Sequence, residues 1–438
     1  MSIAQDDLNL KLAGVDREVA VMCIACGRQY PVEAVNDGCQ SCGSLLEVRH
    51  PLEALRSTLT PEWVKQRRSE REFPYNSGVW RWRELVAPFS NANLVTRNEG
   101  NTNLYEDARL AKYTGVDSLW LKHEGENPTG SFKDRGMTVG ISHAKLCGAT
   151  YVACASSGNT SSSLAGYAAR AGLQALTFVP AGKVALGKLS QTFAYGAKTI
   201  QVDGSFDLAL DLVRQVAHAA GVYLVNSINP FRLEGQKTII FEAIDQLNWQ
   251  TPDWLVVPGG NLGNTSAFGK ALYELRELGL IGQKLPRIAT IQAEGSAPFY
   301  AYYKNGFKDF QAVAPETVAT AIRIGNPVNL PKAQRALEWT DGLVETVTDG
   351  EIMEAKAHLD RSGIGGEPAA AATLAGVRKL TAAGVIKPGE GVLGILTGHI
   401  LKDTDSIVQY HSDPTLPGAN APVKVKATLE DVLKLLGL

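Results

Sequence analysis

The chain has 438 residues, with 43 lysines and arginines against 45 aspartates and glutamates, 45% apolar and 20% charged residues. That length allows two or three domains with a sizeable core, and a net charge of −2 without a long basic run argues against nucleic acid as the main ligand. No stretch reaches the ~20 consecutive apolar residues of a membrane span, and Asp6, Asp7 and Asp16 stand where a signal peptide needs basic and apolar residues, so we expect a cytoplasmic protein with reduced cysteines.

Four of the six cysteines come first in two pairs, Cys23-Ile-Ala-Cys26 and Cys39-Gln-Ser-Cys42. Each C-x-x-C turn presents two thiolates from one side, and two such turns suit a tetrahedral zinc ion in a small ribbon. Gly27 and Gly43 follow the second cysteine of each pair and suit the tight turns. With all four positions filled by protein, the metal would be structural and closed to chemistry. Residues from Leu52 to Ser90, with Trp63, Trp80 and Trp82, read as a helical and extended connector.

From about Asn98 to Asp405, short β-branched runs alternate with helix-length segments. The predicted strands are Ser118–Leu121, Tyr151–Cys154, Ala175–Val179, Thr199–Val202, Tyr223–Val225, Trp254–Val257, Ile288–Ile291 and Val392–Leu396, with helices over segments such as Phe206–Ala220 and Asn264–Leu278. Mostly apolar strands each followed by a helix imply parallel sheet in an α/β fold. There are too many for one compact sheet, which predicts two open parallel-sheet domains.

Ligands of such sheets bind beyond the carboxyl ends of the strands, so the loops there matter most. Four are unusual. His123 to Gly136 leads into a helix whose first turn carries Lys133, where the helix dipole disfavours the protonated amine and assists a nucleophile. Ala155-Ser156-Ser157-Gly158-Asn159-Thr160-Ser161 crowds hydroxyls and free N–H groups at the start of a helix from Ser162 to Ala171, a site for a carboxylate or phosphate. Pro258 to Asn264 is a glycine-rich turn of the kind that wraps an anion, without a G-x-G-x-x-G pattern or a Walker lysine. Thr397 closes the last strong strand and is placed to hydrogen-bond a ligand. One nucleophilic lysine, one phosphate cradle and one polar anion turn together suggest pyridoxal phosphate.

The segments Glu126-Asn-Pro-Thr-Gly-Ser-Phe-Lys-Asp-Arg-Gly-Met137, Cys154 to Thr160, Asn226-Ser-Ile-Asn-Pro-Phe-Arg-Leu-Glu-Gly-Gln-Lys-Thr238 and Val257 to Asn264 resemble those of the threonine synthases, a family of fold type II pyridoxal phosphate enzymes. The Cys segment ending Gly43-Ser-Leu-Leu-Glu-Val48, Ser77-Gly-Val-Trp80 and Gly389 to Asp403 resemble the longer, plant-like form. The resemblance covers nearly the whole chain. It implies a Cys-rich ribbon-like segment at residues 1–52, a large cofactor domain from 53–143 and 235–438, and a small α/β domain at 144–234. The implied reaction converts O-phospho-L-homoserine and water to L-threonine and phosphate, in a homodimer.

By motif, Lys133 would be the Schiff-base lysine and Asn159 would contact the cofactor's ring oxygen. Gly260, Asn261, Leu262, Gly263 and Asn264 would bind its phosphate, and Thr397 would meet the pyridine nitrogen. Ser156, Ser157 and Thr160 would hold the substrate carboxylate, while Ser227, Asn229 and Arg232 would hold the substrate phosphate. Lys133, released as an amine, would then act as general base at the α- and β-carbons.

The lysine and asparagine-loop motifs are shared across fold type II enzymes, so a cysteate synthase or a threonine dehydratase is an alternative reading. Asn226 to Lys237 is the more discriminating piece, since a dehydratase substrate carries no phosphate. A non-catalytic zinc-ribbon binding module is the alternative of another class, and Lys133 with Asn159 argues against it.

Overall fold

A computed structural model describes residues 19–35, 38–156, 158–181, 189–204 and 206–438. The cysteine pairs lie on a small antiparallel sheet formed by β1 (Ala20–Cys23), β2 (Gln29–Tyr30) and β3 (Leu46–Arg49), in the order β2-β1-β3. The alternating segments that follow build two further sheets. One has six strands in the order β12-β11-β10-β13-β5-β4. It uses β4 (Leu104–Glu106), β5 (Ser118–His123), β10 (Trp254–Pro258), β11 (Arg287–Ala293), β12 (Leu343–Val347) and β13 (Gly391–Leu396). All its pairings are parallel except that of β4 with β5. The other is an all-parallel sheet in the order β8-β7-β6-β9, from β6 (Tyr151–Ala155), β7 (Gln174–Pro180), β8 (Lys198–Val202) and β9 (Tyr223–Leu224).

The predicted strands are all present, with ends moved by one or two residues, and the helix Phe206–Ala220 has the predicted bounds. Two edge strands were not legible. β4 is three residues long, and β12 carries Glu345 and Thr346 among its apolar positions, so neither forms an apolar run. The connector is also more than a link. Trp80 and Trp82 are fully buried, Trp80 Nε1 donates to Thr138 Oγ1 at 2.9 Å, and Trp82 packs against Phe241 with ring centroids 5.2 Å apart.

Six helices position the site: α1 (Lys133–Leu146), α2 (Asn159–Ala171), α3 (Pro230–Gln246), α4 (Gly263–Glu277), α5 (Leu330–Thr340) and α6 (Pro368–Ala382). Every residue of α3 from Pro230 to Asp245 is buried, because α1 and α4 pack on it. The crossing with α1 requires glycine: a Cβ on Gly235 would lie 1.8 Å from the carbonyl oxygen of Arg135, and one on Gly136 would lie 2.8 Å from that of Arg232. A buried helix with charged side chains must pair them. Glu234 meets Lys270 at 2.6 Å, Lys237 meets Glu274 at 2.6 Å, Glu242 meets Lys122 at 2.6 Å and Asp245 meets Arg68 at 3.0 Å. Arg232 is the exception among the described residues of this helix.

Candidate active site

Lys133 is the first residue of α1. Its backbone approach is fixed on both sides. Phe132 N–H donates to the carbonyl of Thr397 at 3.0 Å, His399 N–H donates to that of Gly130 at 2.9 Å, and Ser131 forms a bridge with Gly398. The end of β13 thus brings Thr397, buried, alongside the lysine. Asp134 accepts from Thr129 N–H at 2.7 Å, Thr129 Oγ1 at 2.6 Å and Ser163 Oγ at 2.6 Å, holding the turn before the lysine. Burial raises the Asp134 carboxyl to about 6 against these bonds. Arg135 forks onto Glu124 at 2.7 and 2.8 Å and reaches Glu242 at 2.9 Å. The two residues after Lys133 are therefore buried anchors, a role that sequence reading did not assign to them.

The Lys133 amine has no hydrogen-bond or ion-pair partner among the described residues and lies 4.2 Å from the Phe132 ring centroid. Burial, helped by the Arg232 guanidinium and opposed by Glu367, lowers its pKa to about 7. An amine so tuned is available as nucleophile and base near neutral pH.

The polar turn after β6 differs from expectation in one respect: α2 starts at Asn159, three residues before the predicted Ser162. Asn159 and Thr160 thus lie in its first turn. Ser156 Oγ accepts from Gly158 N–H at 3.3 Å, while the N–H groups of Asn159, Thr160 and Ser161 have no acceptor among the described residues. Ser157 lies outside the described residues.

The glycine-rich turn has the same character. Gly259 N–H is taken by Ile291 O at 2.7 Å and Ser266 N–H by Leu262 O at 3.0 Å, but those of Gly260, Asn261, Leu262, Gly263 and Asn264 have no acceptor among the described residues. Leu262 stands at φ 61°, in the left-handed region, at the cap of α4. Such strain in a non-glycine residue is typical of a turn whose shape matters. Unanswered N–H groups at a helix start form an anion cradle. Asn329, from a segment with no assigned role, ties this turn to the next: its Nδ2 donates to Asn261 O at 3.2 Å and to Ser227 O at 3.0 Å.

The segment after β9 divides its residues between two tasks. Asn229 caps α3, accepting from Phe231 N–H at 3.1 Å, and its Nδ2 donates to Tyr223 Oη at 2.9 Å and Leu224 O at 3.3 Å. Those bonds place its side chain within the protein framework. Arg232, 2% exposed, donates from Nη1 to Val225 O at 3.2 Å, and its Nε has no partner. Burial lowers its pKa to about 10 against the pull of Cys154. A buried guanidinium with an unused donor and no carboxylate is ready for an incoming anion.

Two residues around the lysine were missed. Glu367, the N-cap of α6, is 4% exposed and accepts from Asn159 Nδ2. Lys402 reaches Gln191 Oε1 at 2.6 Å and Ser162 Oγ at 3.1 Å across to the small sheet. A glutamate before proline at a helix start is an unusual cap, since serine, threonine, aspartate and asparagine are preferred there; that is the signal available in the sequence.

Away from this cleft, the Sγ atoms of Cys23, Cys26, Cys39 and Cys42 all lie within 4.8 Å of one another. Cys23 and Cys42 are 3.5 Å apart, as are Cys26 and Cys39. The Tyr30 hydroxyl beside Cys39 lowers its thiol to about 6, which favours a thiolate. Four sulfurs converging from two knuckles fit a tetrahedral zinc ion. A second cluster, His50, Glu234 and Glu274, already surrounds the ammonium groups of Lys237 and Lys270. Among the described residues, no helix is long and apolar enough to cross a membrane.

The family model for pyridoxal-phosphate dependent enzymes matches residues 95–398. Threonine synthase from Methanocaldococcus jannaschii is 48% identical over 394 residues, covering 90% of this chain and 95% of that protein. Chloroplastic threonine synthase 2 from Arabidopsis thaliana is 40% identical over 410 residues, covering 90% and 79%. The crystal structure of threonine synthase from Escherichia coli superposes with a TM-score of 0.68 at 20% identity, over 95% of this chain and 99% of that one, a likeness of fold.

Proposed function

The chain belongs to the threonine synthase family of pyridoxal-phosphate-dependent enzymes, and on that premise we propose how its residues divide the conversion of O-phospho-L-homoserine and water to L-threonine and phosphate. The observation that carries the reading is the pairing of an amine without a hydrogen-bond partner among the described residues, Lys133, with a buried guanidinium, Arg232, whose Nε has no partner and whose charge the amine feels.

The residues fit pyridoxal phosphate. Lys133 would hold it covalently, and the free N–H groups from Gly260 to Asn264 would take its phosphate. Asn159 would meet its ring oxygen and Thr397 its pyridine nitrogen. When bound, the cofactor draws electrons from the substrate's α-carbon. Lys133, whose lowered pKa of about 7 leaves a substantial neutral fraction near neutral pH, would move the protons at the α- and β-carbons. The N–H groups at the start of α2, with Ser156, Ser157 and Thr160, would orient the substrate carboxylate. Arg232, with Ser227, would hold the leaving phosphate, whose planar, bidentate match to a guanidinium gives both charge and direction. In this scheme Asn229 serves the phosphate pocket by capping the helix that carries Arg232.

We read the chain as a ribbon at 1–52, a large domain at 53–143 and 235–438, and a small domain at 144–234, working as a cytoplasmic homodimer with one structural zinc ion in the ribbon. Light scattering tests the dimer. Two measurements test the activity. Phosphate release should be fast with phosphohomoserine and slow with phosphoserine; the reverse preference would favour a cysteate synthase. Borohydride reduction followed by peptide mass spectrometry should place the cofactor on Lys133.

A further inference from the structure

Glu367 precedes the first turn of α6, where a carboxylate ordinarily turns to the free N–H groups of its own helix. It makes no such capping bond. Both of its oxygens instead accept from Asn159 Nδ2, at 3.0 Å each. Room for this is made by Gly398, where a Cβ would lie 2.3 Å from Glu367 Oε1. The backbone repeats the tie, with Glu367 N–H donating to Gly398 O at 3.1 Å.

Burial raises the Glu367 carboxyl, but the Asn159 hydrogen bond and the Lys402 and Lys133 charges favour its ionised form. That form only accepts hydrogen bonds and so dictates which end of the asparagine amide turns toward it. The nitrogen must face Glu367, which leaves Oδ1 and the second N–H aimed in one fixed sense. Asn159 follows a strand of the four-stranded sheet, while Glu367 lies on a helix of the six-stranded sheet, so this bond spans the cleft between them.

We propose that Glu367 is a positioning residue that fixes the orientation of the Asn159 amide across the cleft, so that the cofactor's ring oxygen meets that amide in a single polarity. The proposal rests on the cofactor site described under the proposed function. It makes Glu367 act through Asn159 and not on the substrate.

The test uses the holoenzyme with four variants: Asn159→Ala, Glu367→Ala, Glu367→Gln and the double alanine variant. Visible absorption of the bound cofactor, cofactor affinity, kcat and KM are read for each. Glu367→Ala and Asn159→Ala should shift the visible band and weaken cofactor binding by roughly tenfold to a hundredfold, the worth of a hydrogen bond to a charged group. The double variant should be no worse than Asn159→Ala alone. Glu367→Gln keeps an acceptor oxygen and should restore most of the wild-type spectrum, with KM for phosphohomoserine near wild type. If Glu367→Ala fails to fold, Gly398→Ala displaces the carboxylate without removing it and should give the same spectral shift. Additive effects in the double variant, or a Glu367→Gln spectrum as altered as that of Glu367→Ala, would overturn the positioning role. A wild-type holoprotein with no visible band and no adduct on Lys133 would remove the cofactor site itself. A wild-type band that neither Glu367→Ala nor Gly398→Ala moves would remove Glu367 alone.

Discussion

Arg135 and Glu242 form a buried ion pair, Nη2 to Oε1 at 2.9 Å, that joins the helix beginning at Lys133 to the helix carrying Arg232. Glu124 and Lys122 complete the group, so the two helices are locked by charges with little access to water. Burial works against these charges, but Glu124 and Glu242 hold the Arg135 guanidinium well above its ordinary pKa. Removing one member leaves the others buried without a counter-charge. Arg135→Leu should therefore lower stability by ~3–5 kcal/mol, measured by denaturant unfolding. A loss below ~1 kcal/mol would mean that solvent reaches the network.

Arg232 predicts the opposite sign for the ligand-free protein. Its charge is buried without a carboxylate partner among the described residues, so Arg232→Met should leave stability unchanged or raise it by ~1–3 kcal/mol. In the wild type, inorganic phosphate should raise Tm in a concentration-dependent way, because an anion that binds only the folded state stabilises it by mass action. Arg232→Met should lose that rise and show a greatly increased KM for phosphohomoserine with an unchanged cofactor spectrum. With the cofactor bound, so that its own phosphate fills the glycine-rich turn, a phosphate-dependent Tm shift that survives the substitution places the substrate phosphate elsewhere.

Lys133 makes a prediction about pH in the cofactor-free protein. Its folded pKa is about 7, against ~10.4 for an unfolded lysine. Between those values the unfolded chain binds more protons, so the lysine's contribution makes stability rise with pH across that window. Below it both states are protonated and the cost of burying the charge is present in full. Lys133→Met should be more stable than wild type at pH 6, and the gap should close toward pH 10. Unfolding curves for the two proteins that stay parallel over this range would contradict a depressed lysine.

The four ribbon cysteines should bind about one zinc ion per chain, measured by metal analysis of the purified protein. Cys39→Ser should abolish it and lower Tm, and a chelator should do the same to the wild type. The fault should spread beyond the ribbon, since Lys332 Nζ donates to Leu46 O at 2.6 Å and His143 Nε2 pairs with Val32 O at 2.6 Å. A full-length protein with no bound metal and an unaltered melting curve in chelator would leave the ribbon as a metal-free sheet.

Legibility in the sequence followed the range of the interactions. Lys133 and the glycine-rich turn could be placed at helix starts because their signals are local: a turn of fixed residue types leading into a helix. The cysteine knuckles announced themselves by spacing alone. Asp134 and Arg135 sit in the same motif, yet their task depends on Ser163, Glu124 and Glu242, which lie from 11 to 107 residues away. The resemblance implies a ligand role for Asn229, and residue type alone does not show that asparagine also caps the helix. Its bonds to Tyr223 Oη and from Phe231 N–H show the cap, a task that only the fold reveals.

The order of strands and helices and the positions of the polar and glycine-rich turns follow from periodicity and from residue types that only certain backbone turns accept. Which buried charges are answered and which are left open follows from packing. Arg232 and Glu234 lie on the same buried helix, two residues apart, and residue type alone does not say which of the two finds a counter-charge. Helix geometry turns Glu234 toward Lys270 and His50, and turns Arg232 toward the carbonyl of Val225, where no carboxylate answers it among the described residues. The tertiary structure makes that choice, because a buried charge is defined by the partners that the fold brings within a few ångströms.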